Sequence, residues 1–256
     1  MSTPAYGILR EVSPIASVLL ENNPSSMTLE GTNSWVLRAP RSTSRVVVDP
    51  GHEDIEHLTL LAEVRPVALI LLTHHHGDHA EGAAWFAGRV GAPVRAFDPS
   101  LCIDAESFVD GEVISAAGLE IEVLHTPGHT EDSVSLRIGN EVLTGDTVLG
   151  RGTTVLSDLG AYLRSLRALI ELPPGTVGLP GHGPELPDLP ATAREYLAHR
   201  EQRLDQVRSA LGQLGADATA REVVELVYVD VDRSLWLPAE WSVQAQLDYL
   251  RSEAGT

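Results

Sequence analysis

The chain has 256 residues, 43% of them hydrophobic, and a net charge of −18. That length fits one large domain or one domain with a small appendage, and the hydrophobic content supports a packed core and excludes a disordered chain. Acidity on this scale argues against phosphate backbones and anionic lipid surfaces as general partners, so neither a membrane nor duplex nucleic acid is expected. The single cysteine, Cys102, excludes an internal disulfide. The opening "MSTPAYGILREVSPIASVLLENN" lacks the basic start and apolar run of a signal peptide, and no stretch approaches the ~18 consecutive apolar residues of a membrane span. The expected location is cytoplasmic.

Strand patterns begin with "SWVLRA" (34–39) and "SRVVVDPG" (44–51). Residues 53–64 place Ile55, Leu58, Leu61 and Ala62 at helical spacing. "VALILLTH" (67–74) is a continuous apolar run, as in a strand buried on both faces. A helix is expected over 79–90, then strands at "APVRAF" (92–97) and "LEIEVLHT" (119–126). "SVSLRIGNEVLTGD" (133–146) reads as a hairpin turning at Gly139-Asn140. A helix over 157–172 follows, N-capped by Ser157 or Asp158, and "TVGLPGHG" (176–183) is the last clear strand. Interleaved strands and helices with hairpins among them give an α/β fold with a mixed sheet. Four prolines between 180 and 190 mark a boundary, after which the pattern is helical over 191–214, 218–228 and 238–253. The expected domains are therefore 1–190 and a small all-α domain at 191–256.

Four of the ten histidines, with one aspartate, fall within His74–His79, in "LLTHHHGDHAEG". A packed core does not ask for such a cluster, because histidine is usually only partly buried; a metal ion does. His74 and His76, two apart in an extended stretch, point the same way. Asp78 and His79, past Gly77, can face a second point, and His75 points elsewhere. Partners come from "HTPGHTEDS", which offers His125 or His129, from Asp146 in "LTGDTVLG" and from His182 in "LPGHGP". All follow strands, so they can converge on one sheet edge. This nitrogen and oxygen set suits zinc first, with manganese or iron as alternatives, and Asp146 could bridge two ions.

"THHHGDH", "HTPGHT", "GDTVLG" and "PGHG" resemble, in order, the motifs of the metallo-β-lactamase superfamily, over roughly residues 15–190. The resemblance implies an αββα sandwich in which His74, His76 and His129 hold one metal. It implies that Asp78, His79 and His182 hold the other, with Asp146 between them. Asp49, in "VVVDPG", matches a position that orients a ligand histidine; a turn-capping role with Gly51 is the alternative. "MTLEGTNSWVL", "GDTVLGRGTTVLSDLGAYLRSL" and "YLAHREQR" are further similar to the group of β-lactamase-like protein 2. That group implies a winged-helix-like tail and, for a member, endoribonuclease activity on single-stranded RNA.

The expected chemistry is hydrolysis by hydroxide held between two divalent ions, since a bound water's pKa can fall to ~7, with Asp78 as the catalytic carboxylate. The substrate is a small-molecule ester, thioester or amide; the alternative is single-stranded RNA. Seven arginines against eleven acids from 191 to 256 make the tail a poor phosphate grip, and a lid or a homodimer element suits it better. Asn33 (with Thr32), Ser133, Arg151, His199 and Arg200 are candidates to line the substrate site, though for His199 and Arg200 a solvated helix face competes. Trp241, Leu247 and Leu250 read as core of the small domain rather than a stacking surface. Gly183-Pro184 stands where glyoxalase II-type thioesterases carry an aromatic, and no motif carries the cysteine of many zinc β-lactamases. His76 replaces the glutamate of flavo-diiron proteins, and the segment after Asp146 fits persulfide dioxygenases, which use one iron, poorly. No ligand is missing, which argues against a catalytically inactive binding protein.

Overall fold

In the computed structural model, which describes residues 5–229 and 232–254, two sheets lie face to face with helices on both outer surfaces. The stretch read for a signal peptide includes residues 1–4, and the expected tail domain includes 230–231 and 255–256, all outside the described residues. The first sheet runs β1 (Arg10–Glu11), β2 (Ala16–Leu20), β3 (Asn33–Leu37), β4 (Arg45–Val48), β5 (Val67–Leu71) and β6 (Val94–Arg95), in that spatial order. Its first four strands are antiparallel, and β4, β5 and β6 run parallel, with Val48 opposite Leu71 and Leu71 opposite Arg95. The second sheet comprises β7 (Val113–Ala116), β8 (Leu119–His125), β9 (Val134–Ile138), β10 (Glu141–Gly145) and β11 (Val177–Pro180), adjacent in sequence order. Only β10 and β11 are parallel there.

The alternation of side chains along a strand explains the layering. Val46 and Val48 face the inter-sheet core with Trp35, Leu71, Ile121 and Leu136, while Val47 faces outward to Leu58, Ile70 and Phe86. The outer face of the first sheet is covered by α1 (Ile55–Leu61) and α3 (Ala83–Val90), and that of the second by α4 (Leu159–Ile170). The tail is α5 (Leu189–Leu214), α6 (Ala220–Val227) and α7 (Trp236–Ala254). Its first helix starts on the Asp188 N-cap, and α5 and α7 share a core with α4 through Leu166, Tyr196, Leu204 and Ala245. A second small core joins Val207, Val223, Val224, Val243 and Leu247. No helix among the described residues is long and apolar enough to cross a membrane.

Several expected elements change shape. The helix expected over 79–90 is split into a single turn, α2 (Gly77–Ala80), and α3. The break is at Gly82, whose N–H donates to the Gly51 carbonyl at 2.8 Å; a Cβ there would overlap the backbone of His52. The strand expected over 92–97 pairs only at Val94–Arg95. Three strands, β1, β2 and β7, lack a sequence signal. The β7–β8 hairpin turns on Ala117-Gly118, both at positive φ, where alanine conceals the usual Asn-Gly or Asp-Gly signature.

Candidate metal centre

The parallel strands bring the motifs to one edge. His74 follows β5, His129 follows β8, Asp146 directly follows β10, His182 follows β11 and Asp49 directly follows β4, so fixed strand ends aim short loops at one point. His76 N-caps the turn α2, which carries Asp78 and His79. One group comprises His74, His76 and His129: His76 Nδ1 lies 3.1 Å from His74 Nε2 and 2.9 Å from His129 Nε2. A second comprises Asp78, His79 and His182, with the two imidazole Nε2 atoms 3.3 Å apart and Asp78 Oδ2 3.2 Å from His182 Nε2. Asp146 reaches both, 3.7 Å from His129 Nε2 and 3.3 Å from His182 Nε2 through Oδ2, and 3.5 Å from His79 Nε2 through Oδ1. Tetrahedral ligation at 2.0–2.1 Å puts donor atoms about 3.3 Å apart, which these separations bracket. Asp146 Oδ1 is buried without a hydrogen-bond partner, the state expected of an oxygen built to meet a cation. The donor set therefore fits two divalent ions.

The imidazoles are held from behind. Asp49 accepts from Thr73 N–H (2.8 Å), Thr73 Oγ1 (2.7 Å) and His79 Nδ1 (2.9 Å). Thr73 Oγ1 in turn lies 3.0 Å from His74 Nδ1. His129 Nδ1 donates to the Val155 carbonyl at 2.8 Å, with Thr154 Oγ1 at 3.0 Å, and His182 Nδ1 donates to the Gly31 carbonyl at 3.1 Å. Four rings thus spend Nδ1–H outward and turn Nε2 inward, while His76 presents Nδ1. Gly181 is required by proximity: a Cβ there would lie 2.5 Å from Asp146 Oδ1 and 2.7 Å from His79 Cε1.

Charge divides the same way. Burial holds His74 well below its ordinary pKa, helped by the neighbouring imidazoles, and takes His76 to about 4. Burial also opposes charge on His182, but Asp146 and Asp78 outweigh it and raise the ring to about 10; His79 is raised by Asp146 and Asp49 against the same burial. Burial alone would raise Asp78 and Asp146, yet the facing imidazoles take Asp78 down to about 2 and Asp146 well below the carboxylate range. Divalent ions bound there would compete with protons for these nitrogens.

The expected companions are distributed differently. Asp49 is an orienting acceptor for His79, and His75 points away to pair with Asp132 at 2.7 Å. His125 stacks on Phe97 with ring centroids 4.0 Å apart, leaving His129 in the cluster. Asn33 does not line the metal cavity; its amide donates to the Pro180 and Gly183 carbonyls and braces the His182 loop. Thr32 pairs with His182 in an isolated bridge. Ser133 is buried against Thr130 at 2.7 Å and shapes the His129 loop. Arg151 pairs with Glu30 at 2.7 Å and borders a separate groove.

Arg200 corrects both readings given to it. It is 5% exposed, donates to the Thr154 carbonyl and lies 5.5 Å over the Tyr162 ring, so it is neither solvated nor a substrate contact. His199, half-buried beside it, has a buried Nδ1 without a partner and does not line the metal cavity. Leu247 is core, as expected, but Trp241 is 53% exposed and forms part of the cavity wall. That cavity, about 420 Å³, has His76, Asp78, His129, Asp146 and His182 along its floor and α7 along one side. The sequence weighs Trp241 as a stacking surface and sets it aside for a core role, whereas Val155 and the Gly31 carbonyl have no sequence signal as site residues and only the strand before His74 points at Thr73.

Comparison with known proteins agrees with this geometry. Residues 27–182 match the Metallo-beta-lactamase superfamily, and residues 219–254 match the Beta-lactamase associated winged helix domain. A Drosophila melanogaster protein named Beta-lactamase-like protein 2 homolog is 33% identical over 92% of this chain and 87% of its own length. The Paecilomyces divaricatus Atrochrysone carboxyl ACP thioesterase AgnL7 is 29% identical over 88% of this chain and 75% of its own. A crystal structure of a beta-lactamase domain protein from Burkholderia ambifaria shares the fold with a TM-score of 0.84 at 22% identity, covering 99% of this chain and 90% of that one. The chain belongs to the metallo-β-lactamase superfamily, and it is an enzyme of that superfamily's metal-dependent hydrolase class.

Proposed function

We propose that the protein hydrolyses a thioester or activated ester at a dinuclear centre, with zinc as the first candidate metal and manganese or iron as alternatives. The observation that carries this reading is Asp146, whose buried carboxylate reaches His129 of one triad and His79 and His182 of the other while Oδ1 makes no hydrogen bond. His74, His76 and His129 would hold one ion and Asp78, His79 and His182 the other. Two divalent ions bound there would supply Lewis acidity, lowering the pKa of water and polarising the bond under attack.

The chain's own part is to fix and shape. Asp78, the more exposed of the two carboxylates, stands at the cavity floor to orient the nucleophile. Among the described residues outside the ligand set, the cavity wall offers no imidazole, phenol or amine to protonate a leaving group, and its one carboxyl, Asp248, is exposed and accepts from Gln244 at 2.8 Å beside Arg251. A thiol, with an ordinary pKa near 8.5, leaves as thiolate without such an acid, whereas an amine does not. This supports a thioester or activated ester over an amide, and a relative named as an ACP thioesterase supports the same direction. Single-stranded RNA is the alternative, supported by the sequence resemblance to the β-lactamase-like protein 2 group; no arginine lines the cavity to meet its phosphates.

The test is metal analysis of the purified protein, followed by a panel of thioesters and esters beside end-labelled single-stranded RNA, each with an Asp78→Ala control. Two metals per chain and Asp78-dependent thiol release support the reading. RNA cleavage without thioester turnover overturns it in favour of the ribonuclease.

A further inference from the structure

The cavity wall supplied by α7 bears on what kind of acyl group enters. Trp241 is 53% exposed and Met27 is 42% exposed, both large apolar side chains set on the cavity with Val155, Leu156 and Ala245. Exposed aromatic surface lining a concave site, rather than scattered over the molecule, is what a ligand would cover. Charge points the same way. Among the described residues, the metal groups apart, the only acidic or basic side chain lining the cavity is Asp248, and the chain has no lysine. Arg151 is held by Glu30 beside the neighbouring groove, and Arg200 is buried beneath the Thr154 loop. An anionic acyl group would have to shed water from its carboxylate against Trp241, Met27 and Val155, while Asp248 at the rim is already paired with Arg251 at 3.9 Å.

We propose that α7 is the acyl-recognition wall and that Trp241 is the specificity-determining residue, selecting an uncharged aryl or long-chain acyl group and rejecting acidic ones. This rests on the thioester reading and adds the chemical class of the acyl part. The flat indole face takes an aryl ring or an extended methylene chain, while Met27, on the segment before β3, offers an adaptable thioether. The α7 helix thereby gives the tail a direct part in substrate choice.

The test is thiol release from acetyl, octanoyl, benzoyl and succinyl thioesters of N-acetylcysteamine, which share one leaving group. The metal-loaded enzyme is compared with Trp241→Ala and Trp241→Phe. The wild type should prefer octanoyl and benzoyl over acetyl by at least about tenfold in kcat/KM, the scale of a few apolar contacts in a pocket, and should disfavour succinyl. Trp241→Ala should lower kcat/KM on octanoyl and benzoyl by about tenfold more than on acetyl, collapsing the preference, and Trp241→Phe should restore most of it; a wall that merely supported the fold would lower all four substrates together. Equal octanoyl selectivity in wild type and Trp241→Ala, or a succinyl preference, overturns the proposal. If the wild type cuts no thioester, acetyl included, the hydrolase reading itself has failed. The wall is then judged by calorimetric binding of an octanoyl thioether analogue, where loss in Trp241→Ala upholds it and no binding to wild type overturns it.

Discussion

Arg200 on α5 donates to the backbone carbonyl of Thr154, and the hydroxyl of that same Thr154 lies 3.0 Å from His129 Nδ1. The next carbonyl, Val155, accepts from His129 at 2.8 Å. A buried guanidinium in the tail's first helix therefore fixes the loop that orients a metal-group histidine. Tyr196 on the same helix reaches the Leu149 amide at 3.3 Å, and Tyr162 on α4 bonds the Thr147 carbonyl at 2.7 Å, so the whole segment after Asp146 is pinned by helices. Arg200→Ala should free the Thr154 carbonyl and loosen the His74–His76–His129 group. The expected outcome is a stability loss of about 1–3 kcal/mol and a fall of about 10–100-fold in affinity for one of two metals. Calorimetric metal titration with thermal unfolding checks this. Arg200→Lys should rescue only in part, since an ammonium cannot lie flat over Tyr162 as the guanidinium does. Two metals bound at wild-type affinity in Arg200→Ala would refute the link.

The candidate metal ligands stand out because their chemistry lies in the side chains and their spacing in short runs: "THHHGDH" alone supplies four of the seven candidate donors. The partners behind them do not. Val155 and Gly31 act through carbonyls that every residue possesses, and Arg200 finds Thr154 across 46 positions of sequence, which no local pattern encodes. The strand β7 went unread for a related reason, since Ala117 adopts a left-handed turn conformation that its side chain does not advertise. Trp241 was misassigned because an aromatic at helical spacing looks the same whether its helix face meets a core or a cavity; the packing of α7 against α4 and α5 decides it.

Asp49 should govern the second metal group. It accepts from His79 Nδ1 at 2.9 Å, which leaves Nε2 as the free donor atom. Asp49 sits at a φ of 53°, a left-handed conformation that asparagine also tolerates. Asp49→Asn therefore preserves the backbone, but its amide N–H would face His79 and favour the opposite tautomer, with a proton on Nε2. The predicted result is a selective loss of about 10–100-fold in affinity for one metal with little change in overall fold. Titration with two equivalents of metal, followed by circular dichroism, reads both; unchanged affinity for both equivalents would sink the assignment.

Metal removal should destabilise the protein. The inward nitrogens of the first group crowd one another at 2.9–3.1 Å, with only the Asp146 carboxylate, 3.7 Å from His129 Nε2, to offset them without a cation. Metal at about 100 times its dissociation constant contributes about 2.7 kcal/mol, which for a chain of this size is roughly 5–10 °C in Tm. Dialysis against a chelator should lower Tm by that amount, and restoring two equivalents of metal should return it. The Asp146→Ala variant, which loses the carboxylate between the groups, should show a smaller chelator effect than wild type; an identical one would argue against a shared bridge.

Acid should destabilise the fold through His57, away from the metal groups. Its ring, on α1, is buried and bonds Ser34 Oγ on β3 at 2.9 Å. Burial lowers its pKa to about 4, with Asp54 opposing, from an ordinary value of 6.5. Between those values the unfolded chain binds a proton that the folded state refuses, so stability rises with pH across this window. The contribution is complete above pH 6.5 and is lost as pH falls towards 4, by about 3 kcal/mol at 1.36 kcal/mol per unit. His57→Gln retains a polar partner for Ser34 without a titrating ring. Urea unfolding of metal-loaded protein from pH 7 to pH 4 should therefore show a shallower decline for His57→Gln than for wild type, and parallel declines would assign the acid sensitivity to other groups.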